Sequence, residues 1–236
     1  MNTPAQDIRL FPSGPTVFQI KICGVTTPDD AHAAIEAGAD AIGLNFYEES
    51  PRYVSRQSAS KVLAECGDVE AVGVFVNMPA GTLQTVANQV GLTAIQLHGD
   101  ESPEYLAGLA DLRAVRARRI GDRGLSAIAE DLIACRVAGR VPDAILVDAF
   151  QQGCYGGTGE TLAWEKLAGY RRELGDVPLI LADGLTPENV ASAISAVQPA
   201  GVDVAGGVER SPGVKDHAKV RAFVVAARAA FAAIQS

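Results

Sequence analysis

The sequence has few of the residues that hold metals or build disulfide frameworks. It contains four cysteines and three histidines among 236 residues. No two cysteines form a CxxC motif, and no cysteine or histidine pair has the spacing of metal ligands. We therefore expect reduced thiols, as in a cytoplasmic protein, and no zinc site.

Basic runs and long apolar stretches are also missing. The chain has 20 Lys and Arg against 28 Asp and Glu, a net charge of −8, which is unsuited to nucleic acid or an anionic membrane. No stretch reaches the ~18 apolar residues of a membrane span. Residues 1–16 lack the basic and apolar pattern of a signal peptide, so we interpret them as a flexible extension.

What the sequence does contain is a regular alternation of short apolar runs with helical periods. The runs end roughly 26 residues apart on average, a spacing typical of one strand, one helix and two loops. The eight runs are Val17–Cys23, Ala41–Phe46, Val69–Val76, Thr93–His98, Leu112–Ala117, Ala144–Asp148, Pro178–Asp183 and Val202–Ala205.

Eight strand–helix units predict a parallel sheet that closes into a barrel. We expect one α/β domain over residues 17–236, a single eight-stranded parallel (β/α)8 TIM barrel. Helix starts support the count, because Thr27, Ser102 and Thr186 are each followed by proline and an acidic residue. The alternative is an open doubly wound sheet, but that fold favours GxGxxG after its first strand, where this chain has Cys23-Gly24-Val25-Thr26.

Reactive groups in such barrels lie where the strands end. Side chains alternate along a strand, so Lys21 and Cys23 share the inward face if Ile22 faces the helices. The Lys21 ammonium would lower the pKa of the Cys23 thiol, which makes it a candidate base or nucleophile. Asp148 ends the sixth run and is a candidate acid. An inert buried cysteine and a loop-capping aspartate remain equally open on spacing alone.

Glycine is concentrated after the last three strands, at Gly156 and Gly157, at Gly184, and at Gly206 and Gly207. Loops after strands seven and eight commonly bind phosphate in this fold, because backbone N–H groups can approach the oxyanion there. We favour a phosphate site over plain turn chemistry.

Two further polar residues follow strands. Arg52 lies in a loop over the predicted mouth of the barrel, where its guanidinium could bind a carboxylate through two hydrogen bonds. On composition alone, a solvent-exposed arginine without a ligand is the simpler interpretation. His98 ends the fourth run, and we interpret it as a hydrogen-bonded structural residue.

Nine segments, in order from Lys21 to Asp216, carry a specific resemblance. They are Lys21–Gly24, Ser50–Tyr53, Val72–Asn77, Gln96–Glu101, Gly156–Gly159, Leu185–Val190, Gly201–Val204, Gly207–Glu209 and Pro212–Asp216. Together they resemble the signature segments of the phosphoribosylanthranilate isomerases, over nearly the whole chain.

The resemblance implies a cytoplasmic enzyme of tryptophan biosynthesis that performs an Amadori rearrangement of N-(5-phosphoribosyl)anthranilate without a cofactor or metal. It assigns Cys23 as the general base, Asp148 as the general acid and Arg52 as the ligand of the anthranilate carboxylate. The glycine loops are assigned to the phosphate, and Lys21 and Asp203 also belong to the substrate-binding set. We expect a monomer or homodimer.

The sequence departs from the family pattern after strand seven, where Asp183 replaces the first glycine of the usual pair. We expect the Asp183 carboxylate to turn away from the phosphate and leave the backbone N–H donors free. Two other functions stay open: a catalytically silent relative that binds a sugar phosphate, and another phosphosugar isomerase or epimerase on the same barrel. Arg52 argues against the second, because a plain sugar phosphate needs no carboxylate clamp.

Overall fold

The structure, a computed structural model, describes residues 18–67, 69–109, 112–121, 123–148, 164 and 166–235. The predicted extension, residues 1–16, and the predicted phosphate ligands Gly156 and Gly157 lie outside the described residues. Within them, no helix is both long enough and apolar enough to span a lipid bilayer.

Strands and helices alternate along the chain. The barrel strands are β1 (Ile20–Cys23), β2 (Ala41–Asn45), β3 (Glu70–Phe75), β4 (Ala94–Leu97), β5 (Arg113–Arg119), β6 (Ala144–Asp148), β7 (Leu179–Ala182) and β8 (Gly201–Val204). The helices are α1 (Pro28–Ala37), α2 (Arg56–Leu63), α3 (Ala80–Val90), α4 (Pro103–Ala107), α5 (Leu125–Val137), α6 (Arg171–Leu174), α7 (Val190–Val197) and α8 (His217–Gln235). A 3₁₀ turn (Gly206–Val208) leads into a small hairpin, β9 (Glu209–Ser211) and β10 (Val214–Lys215).

The eight strands form a closed parallel barrel in sequence order. Closure comes from β1 pairing with β8, where Lys21 lies opposite Asp203. The predicted TIM barrel is confirmed, and the open-sheet alternative is wrong because its first and last strands would not pair. Each of the eight predicted runs overlaps one strand, but β5 extends past its run to Arg119 and β8 begins one residue before its run, at Gly201.

Strand alternation divides the core into two layers. The barrel interior is filled by small and medium side chains, such as Ala94, Val115 and Leu146. The outward residues, such as Ile20 and Ile22, belong to the larger core beneath the helices. This arrangement puts Lys21 and Cys23 inside the barrel, as the alternation predicts.

Two of the three predicted helix starts are caps in the structure. The hydroxyls of Thr27 and Ser102 accept hydrogen bonds from backbone N–H groups three residues later. At Thr186 the hydroxyl accepts a hydrogen bond from the Glu188 N–H at 3.3 Å, as a cap does, and the Thr186 N–H donates to the Asn189 side chain at 2.7 Å. These bonds form a turn, and α7 begins after it, at Val190, which is later than predicted.

Candidate active site

A cavity of about 480 Å³ opens at the carboxyl ends of the barrel strands. This is the end at which barrels of this fold place their chemistry. Its wall brings together residues that are up to 184 positions apart in the sequence. Six of the predicted site residues line it: Cys23, Asp148, Gly184, Asp203, Gly206 and Gly207.

Lys21 lies beneath this cavity and is fully buried. Its ammonium donates hydrogen bonds to Gln96 and to Asp203, each at 3.0 Å. Burial lowers the pKa of Lys21, but the charge of Asp203 and the hydrogen bond outweigh it, so the pKa is raised and the ammonium stays charged. Lys21 therefore supports the floor of the site rather than lining the cavity.

The Cys23 thiol is less acidic than the sequence suggests. Burial raises its pKa and so does the negative charge of Asp203, while Lys21 and Lys215 lower it. Lys21 acts in the predicted direction, but the prediction of a lowered net pKa is wrong. The error has a physical cause. Burial destabilises the thiolate more than the Lys21 ammonium stabilises it, because that ammonium is already paired with a carboxylate.

Asp148 ends β6 with its carboxylate facing the cavity, opposite Ala182 of β7 and Arg119 of β5. The Arg119 Nε atom is 3.9 Å from Asp148 Oδ2, a distance typical of a loose ion pair. The Asp148 carboxyl also hydrogen-bonds that of Asp183. Asp183 also accepts a hydrogen bond from the Gly184 N–H at 3.0 Å, so the expectation that it leaves the backbone donors free is wrong at Gly184.

Arg52 is engaged by a partner that sequence reasoning missed. Its Nε and Nη2 atoms donate to the two carboxylate oxygens of Glu209, at 2.8 and 2.7 Å. The buried ammonium of Lys215 donates to the same carboxylate at 2.9 Å. Burial raises the pKa of Glu209, but these two cations outweigh it and hold the pKa below its usual value. The guanidinium lies beside Gly206, since a Cβ on that glycine would stand 3.5 Å from Arg52 Nη2.

The two glycine loops after β7 and β8 pack directly against each other. A Cβ added to Gly207 would stand 1.8 Å from the Leu185 carbonyl oxygen, a distance that no side chain tolerates. Gly184 has a φ of 65°, in the left-handed region that favours glycine. These glycines therefore hold the loops after β7 and β8 in close contact at one side of the cavity.

His98 is a hydrogen-bonded residue of the cavity wall. Its Nδ1 atom is 2.7 Å from Gln96 Nε2, which links it through Gln96 to Lys21. Burial lowers its pKa, so the ring is neutral at neutral pH. Gln96 itself was not predicted, although the alternation that points His98 inward also points Gln96 inward.

A closed (β/α)8 barrel whose mouth combines a thiol, paired carboxyls and glycine loops is an enzyme site built for acid–base chemistry. The sequence pattern of the family described as N-(5'-phosphoribosyl)anthranilate (PRA) isomerase matches residues 20–226. The chain therefore belongs to the N-(5'-phosphoribosyl)anthranilate isomerase family.

Individual relatives agree with this assignment. The N-(5'-phosphoribosyl)anthranilate isomerase of Geobacter metallireducens is 43% identical over 90% of this chain and 100% of its own. That of Cellvibrio japonicus is 43% identical over 93% and 97% of the two chains. The crystal structure of phosphoribosyl anthranilate isomerase from Thermotoga maritima superimposes with a TM-score of 0.78 at 36% identity, covering 90% of this chain and 100% of that one.

Proposed function

We propose that this protein converts N-(5-phosphoribosyl)anthranilate into 1-(2-carboxyphenylamino)-1-deoxyribulose 5-phosphate, the third step of tryptophan synthesis from chorismate. The observation that carries the proposal is that Cys23 and Asp148 line one cavity in a chain of this family. A related phosphoribosyl anthranilate isomerase, 35% identical with a TM-score of 0.76, has been solved in complex with the reduced product.

The reaction needs one acid and one base on opposite sides of the sugar. In our proposal, Asp148 protonates the furanose ring oxygen as its bond to C1 breaks, and the nitrogen lone pair forms a cationic Schiff base. Cys23 then removes the C2 proton to give an enolamine, which tautomerises to the ketose. The Schiff-base cation favours the thiolate at the step that needs it, which offsets the raised pKa of the resting thiol.

The two ends of the substrate need separate anchors. We assign the phosphate to the backbone N–H groups of Gly206 and Gly207, with Gly156 and Gly157 as further proposed ligands, because backbone N–H groups suit an oxyanion. Gly184 lines the same cavity, but its N–H already donates to Asp183, so its proposed contribution is the shape of the loop. Asp203 lines the cavity beside Cys23 and is assigned to a sugar hydroxyl. Anchors at both ends hold the sugar between acid and base, which lowers the entropic cost of the reaction.

Arg52 is assigned to the anthranilate carboxylate. Glu209 already occupies one edge of its fork, so the substrate carboxylate would meet the remaining edge of the guanidinium. Glu209 then has a second role, since it holds the fork in one orientation. Preorganised charged donors bind a carboxylate more tightly than mobile ones.

An assay with N-(5-phosphoribosyl)anthranilate tests the proposal directly, because this substrate loses its fluorescence on conversion. Turnover by the wild-type chain supports the proposal, and binding without turnover would identify a catalytically silent relative. Turnover of a plain phosphosugar in its place would identify another isomerase on the same barrel. We further propose that the protein is cytoplasmic. We also propose that it is a monomer or a homodimer, and light scattering can decide between these two states.

A further inference from the structure

Two aspartates meet at the carboxyl ends of neighbouring strands. Asp148 is the last residue of β6 and is paired with Ala182, the last residue of β7. Asp183 follows with a φ of 62°, in the left-handed region. This backbone turn brings its carboxyl to that of Asp148, with which it forms a hydrogen bond. The Gly184 N–H, 3.0 Å from Asp183 Oδ1, holds the carboxyl in place.

Two carboxyl groups can share a hydrogen bond only when one of them carries a proton. Partial burial of its carboxyl, followed by the hydrogen bond and charge of Asp148, raises the pKa of Asp183 to about 6, while Arg119 acts in the opposite direction. Two carboxyl groups in hydrogen-bond contact resist simultaneous ionisation, because their negative charges repel each other. The pair therefore retains a proton at a pH where a solitary aspartate, with a pKa of ~3.9, has lost its own.

A general acid must be protonated when the substrate binds. An isolated aspartate meets this condition poorly at neutral pH, whereas a carboxyl pair meets it by holding one proton between two sites. We propose that Asp183 is a positioning residue that retains, beside Asp148, the proton which Asp148 delivers to the ring oxygen. This inference rests on the proposed isomerase function and adds to it a group that the family pattern does not supply.

The surroundings decide how the pair behaves as the pH changes. Within the cavity, the other titratable groups on the facing strands are Cys23, His98 and Asp203. On the β5 side, Arg119 approaches Asp148, and a neighbouring pocket adds Arg118 and Asp100. The two arginines favour ionised carboxyls, so the shared proton is retained against their charge.

The proton balance of the proposed step is closed. The proton leaves the Asp148 carboxyl for the ring oxygen as the C1–O bond breaks, which leaves both carboxylates ionised. Their mutual repulsion then favours the uptake of one proton. Asp183 lines the cavity and is in part exposed to solvent, so water can return that proton after Cys23 has released the one it took from C2.

The test compares the single-turnover rate of the wild type with that of Asp183→Asn. Asparagine keeps the shape of the side chain and tolerates the left-handed backbone conformation. Asp183→Gly is the second variant, because glycine fits a φ of 62° without strain. Asp176→Asn is the matched charge control, an exposed aspartate beside Pro178 and Ala200 at the opposite end of the barrel. Each rate is measured from pH 5 to pH 9, with circular dichroism to confirm folding.

We expect both Asp183 variants to be slower than the wild type by about 100-fold at pH 8 and about tenfold at pH 5, because the pair proton, held at Asp183 with a pKa of about 6, is replaced by that of a solitary aspartate, with a pKa of ~3.9. Cys23 is common to all the proteins, so its titration cancels in the ratio. A ratio that is constant from pH 5 to pH 9, or near one throughout, would overturn the proposal, since a merely structural role has no such pH dependence.

A spectroscopic measurement separates this inference from the proposed function. Infrared difference spectra of the resting protein should show a carboxyl group that loses its proton near pH 6, and Asp183→Asn should remove that signal. If the signal is absent from the wild type, the shared proton does not exist and the inference fails. If the signal is present but the wild type does not convert the substrate, the proposed function fails instead.

Discussion

Glu209 holds Arg52 through a two-pronged ion pair, in which Nε and Nη2 each donate to one carboxylate oxygen. The two residues are 157 positions apart, and Glu209 is more deeply buried than Arg52. Lys215 completes the group by donating to the same carboxylate from a fully buried position. The arginine proposed to bind the substrate carboxylate is therefore held in one orientation by Glu209.

The Arg52 assignment predicts a change in substrate affinity. We expect Arg52→Ala to raise the KM by roughly 10- to 150-fold, because the substrate carboxylate loses a hydrogen bond to a charged donor, which contributes about 1.5–3 kcal/mol. Arg52→Lys should recover little, since a point charge cannot replace both edges of the fork. Inhibition by inorganic phosphate should be nearly unchanged in both variants. Weaker phosphate inhibition with an unchanged KM would place Arg52 at the other end of the substrate.

Gly43 leaves room for the reactive sulfur. It pairs with Cys23 across β1 and β2, and a Cβ at Gly43 would stand 2.7 Å from Cys23 Sγ and 3.1 Å from Lys21 Cε. We expect Gly43→Ala to fold but to lose at least tenfold in kcat, because the thiol must move and catalysis is sensitive to small misplacements. Gly81→Ala is the control, since nothing lies within 4 Å of its added Cβ. Equal rates in the two variants would contradict the placement of Cys23.

The base assignment predicts a large loss of turnover in Cys23→Ser. A serine hydroxyl is far less readily ionised than a thiol, and a general base contributes roughly 10²–10⁴-fold. Cys66→Ser is the matched control: Cys66 lies in the core under the helices, and its Sγ donates to the Val62 carbonyl as a serine hydroxyl can. Near-wild-type turnover in Cys23→Ser would remove Cys23 from the mechanism.

The acid assignment predicts a similar loss in Asp148→Asn, of roughly 10²–10⁴-fold, because the amide cannot supply the proton. The KM should change less than kcat, since the asparagine keeps the shape of the side chain. The same Asp176→Asn control accounts for the change in net charge. Retained turnover would show that another group protonates the ring oxygen.

The lowered pKa of His98 predicts that the stability of the folded protein depends on pH. Its pKa is lowered in the folded protein, mainly by burial, so between its folded pKa and the unfolded value of ~6.5 the unfolded chain binds more protons. The contribution is fully present above pH ~6.5 and is lost as the pH falls through the folded pKa. We expect the Tm of His98→Gln, relative to that of the wild type, to be higher at pH 5 than at pH 7.5. A pH-independent difference would show that His98 is not held neutral.

Strand alternation accounts for most of what could be predicted of the site. Because side chains change face at each residue, the placement of Lys21, Cys23 and Asp148 follows once the strands and their closure are assumed. The capping pattern is less exact at Thr186. Its hydroxyl accepts the Glu188 N–H and its own N–H donates to Asn189, but these bonds form a turn and the helix begins only at Val190.

The sequence by itself determined the eight strand–helix units, the inward positions and the family, since each depends on residues that are close in the chain or on an ordered set of motifs. Only the tertiary structure decided the partners: Lys21 with Asp203 across the closing strands, Arg52 with Glu209, and Asp148 with Asp183. Such partners depend on strand register and barrel closure, which bring distant residues into hydrogen-bond contact. Burial and neighbouring charge then set which groups hold protons, and neither quantity is a property of a short stretch of sequence.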